Sequence, residues 1–106
     1  MARALINVPR TARRGEVIVI KALVQHVMET GYRHRATGRP IPRDIITSFV
    51  ARYNDDVIFE ADFFPAMAAN PFITFSTIAT EGGRIELEWQ GDNGFRLLET
   101  SEISVA

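Results

Sequence analysis

The segment Glu16–His26, EVIVIKALVQH, constrains the fold more than any other. It is rich in β-branched side chains, which favour extended backbone, and it carries no helix cap. Its even positions, Ile18, Ile20, Ala22 and Val24, form a wholly apolar face. Its odd positions, Val17, Val19, Lys21, Leu23 and Gln25, form a mixed one. A half-buried strand normally shows one polar face. This segment therefore predicts a strand whose second face either exposes apolar surface or is covered by something else.

The same period-two pattern recurs along the chain. Ala4–Val8 reads as a short first strand, Ile45–Tyr53 as a further one, and Val57–Asp62 follows the turn-like Asn54-Asp55-Asp56. Phe72–Thr80 places Ile73, Phe75 and Ala79 on one side. After Glu81-Gly82-Gly83, Arg84–Gln90 sets Ile85, Leu87 and Trp89 inward and Glu86 and Glu88 outward. Gly91-Asp92-Asn93-Gly94 is a hairpin signal, and Phe95–Val105 returns as the last strand. About seven short antiparallel strands with no convincing helix predict an all-β, immunoglobulin-like sandwich spanning residues 1–106 as a single domain. Trp89 is the natural core anchor. The sequence has no cysteine, so packing without a disulfide must join the sheets.

Two connections do not read as strands. Val27–Asp44 is long and polar, with two glycines and two prolines. Asp62–Pro71 is apolar and turn-rich. Long connections in a small domain tend to carry function, held in place by the rigid sheets.

Composition excludes several activities. Without cysteine there is no thiol nucleophile, thiolate metal site or thiol redox chemistry. No apolar run is long enough for a membrane-spanning helix. The net charge of −1 hides an asymmetry: residues 1–43 carry +7 and residues 44–106 carry −8. Eleven of the twelve basic residues are arginine, the residue suited to bidentate pairing with carboxylates and anions. Clusters such as Arg10-Thr11-Ala12-Arg13-Arg14 and Arg33-His34-Arg35, with Tyr32 beside them, invite a nucleic-acid reading. The slightly acidic whole argues against it.

Catalytic signals are weak. His26, Glu29 and His34 match no metal-ligand spacing, so no metal and no cofactor is expected. The serines lie in strand-like segments without a nucleophile elbow, and Gly82-Gly83 introduces a strand, not the helix of a phosphate-binding loop. The residues therefore point away from an enzyme. They point towards partner binding. Val17, Val19 and Leu23 line the mixed strand face, and Phe63, Phe64 and Met67 crowd one connection. Aromatic, Met and Arg side chains are enriched in interface cores, although loop apolars also cap sandwich ends.

Several blocks, in order, carry a family resemblance: Gly15-Glu16-Val17-Ile18, His26-Val27-Met28-Glu29-Thr30-Gly31-Tyr32-Arg33, Ile41-Pro42-Arg43-Asp44-Ile45-Ile46, Asp62 with Pro65 and Ala66, Ala69-Asn70-Pro71-Phe72, and Trp89. Together they resemble the SoxZ family of the bacterial sulfur-oxidising system. The resemblance implies an immunoglobulin-like subunit, without a reaction of its own, that forms a heterodimer with a SoxY-type subunit. In that family the SoxY cysteine carries thiosulfate-derived sulfur, and the complex makes transient contacts with the other Sox enzymes. On that reading the mixed strand face, Val17, Val19 and Leu23, with the apolar loop residues Phe63, Phe64 and Met67, is the expected partner interface. His26, Met28, Glu29, Arg33, Arg43 and Asn70 are implied as the loops that present the carrier arm. No signal peptide is legible at the start of the chain, which by itself points to the cytoplasm; the resemblance implies the periplasm, reached by co-export with a signal-bearing partner. Without its partner the exposed patch is expected to drive homodimers. The competing expectation is a stand-alone sandwich binding a small anion or another protein.

Overall fold

A computed structural model describes residues 3–65 and 67–106. Eight strands follow in chain order: β1 (Arg3–Asn7), β2 (Thr11–Ala12), β3 (Val17–Gln25), β4 (Ile46–Tyr53), β5 (Asp56–Asp62), β6 (Phe72–Ile78), β7 (Gly83–Gly91) and β8 (Arg96–Val105). They form a three-stranded sheet, β1-β3-β6, and a five-stranded sheet, β2-β8-β7-β4-β5. The immunoglobulin-like sandwich expected from the periodicity is present.

One pairing departs from the antiparallel expectation. β2 lies parallel to the end of β8, with Thr11 opposite Ser104 and Ala12 opposite Val105. The chain leaves the three-stranded sheet after β1, passes Pro9 and joins the other sheet. Proline lacks the N–H a ladder needs, so a change of sheet falls naturally there. A two-residue strand is too short to show any periodicity, so the sequence does not announce it.

The apolar faces meet between the sheets. Ile18, Ile20, Ala22 and Val24 of β3 are buried, as are Ile85, Leu87 and Trp89 of β7. Four aromatic rings knit the centre. Phe49 of β4 sits 5.1 Å from Trp89 and 6.1 Å from Phe75 of β6. Phe59 of β5 stacks on Phe75 with ring centroids 4.7 Å apart and planes within 5°. Phe75 comes from the opposite sheet, so these contacts join the two layers, and aromatic pairs contribute roughly 0.5–1.5 kcal/mol each beyond area burial.

The outer faces differ in chemistry. On the five-stranded sheet, Glu88 of β7 accepts hydrogen bonds from Arg52 of β4 (3.0 Å) and Arg96 of β8. Arg84 pairs with Glu86 at 3.0 Å. Among the described residues no ion pair lies on the outer face of the three-stranded sheet. That face carries Leu5, Val17, Val19, Leu23, Phe72 and Ile78.

Candidate functional site

Two regions collect the residues the sequence singled out: the outer face of the three-stranded sheet, and the end of the sandwich where β3 leaves and β4 enters.

On the sheet face, antiparallel register puts Leu5 opposite Leu23 and Leu23 opposite Phe72, making one apolar row across three strands. Val17 stands opposite Ile78, and Val19 opposite Ser76. Val17 is 63% exposed, and Val19, Leu5, Phe72 and Ile78 are exposed as well, while Leu23 is half-buried. The row borders a shallow depression of about 270 Å³ between Leu5, Lys21, Leu23 and Phe72. Alternation predicted Val17, Val19 and Leu23. It could not join them to Leu5, Phe72 and Ile78, because that needs the β1–β3–β6 register.

The second expected apolar group divides. Phe63 is 4% exposed and its N–H donates to the Thr47 carbonyl at 2.9 Å. It belongs to the core cluster and closes the sandwich, so it offers no side chain to a partner. Met67 is half-buried against that core, and Phe64 is exposed. Ala66 lies outside the described residues.

The loop residues gather at the β3/β4 end. Asn70 clamps His26 from both sides. The Asn70 Oδ1 accepts the His26 N–H at 2.9 Å, and the Asn70 N–H donates to the His26 carbonyl at 2.8 Å. The His26 ring is largely buried, edge-on to Phe95 at 4.9 Å. Its Nδ1 accepts the Met28 N–H at 3.0 Å, which leaves Nε2 to carry the proton of the neutral ring, 3.7 Å from an Asp44 carboxylate oxygen. Met28 turns inward at φ +51 and is 4% exposed; its sulfur accepts the Ile46 N–H at 3.3 Å. His26 and Met28, expected among docking side chains, are thus packed supports. Turned inward, they accept two backbone N–H groups at this bend, those of Met28 and Ile46.

Val27–Asp44 is a hydrogen-bonded ribbon, not an unstructured connection. Antiparallel bridges join Glu29 to Asp44 and His34 to Pro40. Ile41 donates to the Arg33 carbonyl and Arg35 to that of Arg39, each at 2.8 Å. Gly31, at φ +87, lies against Arg43; a Cβ there would sit 3.0 Å from the Arg43 Cβ, so the close crossing needs glycine. Glu29 grips Arg33 at 2.6 Å, and that guanidinium holds the carboxyl below its usual range. Arg43 makes two 2.8 Å hydrogen bonds to Asp92 and lowers its pKa in turn. Asp92 also accepts the Ile45 N–H at 3.2 Å. Sequence reasoning did not single out Asp44 or Asp92 for this role, since their partners lie far along the chain.

Among the described residues no cluster of three or more His, Cys, Asp or Glu side chains is arranged to hold a metal. No helix among the described residues is long and apolar enough to cross a membrane.

The family model for the sulphur oxidation protein SoxZ matches residues 6–101. The chain belongs to the SoxZ family. No curated protein matches its sequence. Solved structures share its fold at low identity. A superoxide reductase (neelaredoxin) from Ignicoccus hospitalis is 14% identical with a TM-score of 0.72, over 97% of this chain and 80% of that one. The sulfur carrier protein SoxY from Chlorobium limicola f thiosulfatophilum is 12% identical with a TM-score of 0.67, over 97% and 78%. A putative superoxide reductase from Thermotoga maritima is 13% identical with a TM-score of 0.66, over 97% and 85%. At such identity the likeness speaks for the sandwich alone. Membership of the SoxZ family makes the chain a sulfur-oxidation subunit.

Proposed function

We propose that this chain is a non-catalytic subunit of a sulfur carrier complex, and that it binds a SoxY-type partner through the outer face of its three-stranded sheet. The observation that carries the reading is the contrast between the two faces. The centre of the five-stranded face is a charge lattice, Glu88 with Arg52 and Arg96 and Glu86 with Arg84. The three-stranded face sets Leu5, Leu23 and Phe72 at one end and Val17, Val19 and Ile78 at the other, on either side of the Asn7–Lys21–Thr74 row, and leaves most of these apolar side chains in water, as interaction sites do. Since the chain has no thiol, the covalently carried sulfur must sit on the partner. The partner then supplies the cysteine, and this chain supplies a rigid surface that helps present it to the other Sox enzymes. Glu29, Arg33, Arg43 and Asn70 build the ribbon base that faces those enzymes, with His26 and Met28 as its internal supports. The complex works in the periplasm, where the partner's export signal carries both chains. In isolation the same apolar face favours a homodimer.

The test is co-expression with the SoxY-type protein encoded nearby, followed by co-purification and an affinity measurement. Stable uptake at micromolar concentration is expected. Val19→Asp should weaken it by about 2–5 kcal/mol, because a charge would be buried unpaired. Val19 is already 45% exposed in the free chain, so the variant should still fold. A folded Val19→Asp protein that binds as tightly as wild type removes this face from the interface. A wild type that takes up no partner makes the chain a stand-alone binder.

A further inference from the structure

The ribbon does more than close a loop. The molecule measures 60 × 20 × 19 Å, with a radius of gyration of 16.3 Å. A compact chain of this length has a radius of gyration of about 13 Å. The longest strand has ten residues and accounts for roughly 33 Å of length. The ribbon leaves the sandwich end with seven residues per arm between Glu29 and Asp44, a reach of roughly 23 Å, and supplies much of the excess.

Its charge is one-sided. Between Glu29 and Asp44 stand four arginines and no acid, while the rest of the chain carries −5. The two arginines at the base are spoken for: Arg33 pairs with Glu29 and Arg43 with Asp92. The two at the tip, Arg35 and Arg39, have no ion pair among the described residues. The Arg35 N–H donates to the Arg39 carbonyl and the Gly38 N–H to the Arg35 carbonyl, so a tight turn holds the two side by side. Exposed His34 flanks them. At physiological salt, charges are screened over about 8 Å, so a tip roughly 20 Å from the sandwich presents its positive charge largely free of the acidic body.

We propose that the ribbon tip, Arg35 with Arg39, docks on carboxylate-rich patches of partner proteins. Guanidinium forks match carboxylates in bidentate geometry, and charge complementarity of this kind steers encounter and fixes register. A protein patch fits better than a nucleic acid. Two unpaired arginines neutralise few phosphates, and a nucleic acid following the ribbon inward would meet a body of net charge −5. This surface is separate from the apolar sheet face, and its test does not depend on the carrier reading.

The isolated chain is titrated with fluorescein-labelled decaglutamate at about 0.15 M ionic strength, read by anisotropy. Arg35→Glu with Arg39→Glu should weaken binding at least about tenfold. Arg13→Glu with Arg14→Glu, the same charge change on the sandwich body, should weaken it less than about threefold. Equal losses in both variants, or no loss at the tip, would overturn the proposal. So would tighter binding of a single-stranded DNA decamer than of decaglutamate at matched salt.

Discussion

Arg43 and Asp92 lie 49 residues apart and meet through two hydrogen bonds of 2.8 Å. The pair ties the base of the ribbon to the turn between β7 and β8. Asp92 also caps the Ile45 N–H, so one carboxylate fixes both the ribbon and the start of β4.

Arg43→Ala should therefore loosen the ribbon more than the sandwich. Trypsin should cut after Arg35, which Ala36 follows, faster than in wild type, while the melting temperature moves little. Arg43→Lys should restore only part of the protection, because an ammonium cannot make the fork. Unchanged cleavage rates would show that the backbone bridges alone hold the ribbon.

Glu88 should make the fold sensitive to acid. It is 4% exposed, and Arg96 and then Arg52 hold its carboxyl below the usual glutamate range. A depressed folded pKa means stabilisation that is complete above about pH 5 and lost as pH falls through the folded value. Glu88→Gln should cost about 1–2 kcal/mol at pH 7, since Arg52 and Arg96 remain partly hydrated. In urea titrations the gap between variant and wild type should shrink below about pH 4. A gap that stays constant from neutral to acid pH rules out the ionised pairs as its source.

Tyr53 should act as a latch at the other end. Its buried hydroxyl donates to the Glu81 carbonyl and accepts the Thr80 N–H at 3.4 Å, tying β4 to the turn before β7. Tyr53→Phe should cost about 1 kcal/mol, which for a domain of this size is roughly 4–8 °C in melting temperature. A variant melting with wild type would mean that water replaces the bond fully.

Asn70 combines a left-handed backbone, φ +53, with its side-chain bond to His26. Asn70→Gly loses the bond alone. Asn70→Ala loses the bond and adds strain, so it should be less stable than Asn70→Gly by about 1 kcal/mol. Equal stabilities by chemical denaturation would show that the backbone relaxes.

The period-two reading found seven of the eight strands, with ends displaced by a residue or two. It also placed Trp89, Ile85 and Leu87 inside. These are local properties: a side chain's face follows from its neighbours two residues away. Burial on the outward face does not follow. Glu86 and Glu88 look alike in the sequence, and both point outward. Only Glu88 is closed over, because Arg52 arrives from β4 and Arg96 from β8.

The candidate site divides in the same way. The mixed face of β3 was legible by alternation. Its growth into a patch with Leu5, Phe72 and Ile78 required the register of three strands. Phe63 and Met28 looked like surface loop apolars, and the fold turned both inward to close its ends. The sequence alone determined the sandwich, the mixed second face of β3 and the absence of thiol chemistry, since alternation and composition need no long-range contact. Only the tertiary structure decided which arginines are paired and which stand free at the ribbon tip. That choice depends on Glu29 four residues from Arg33 and on Asp92, which the fold carries across 49 residues to Arg43.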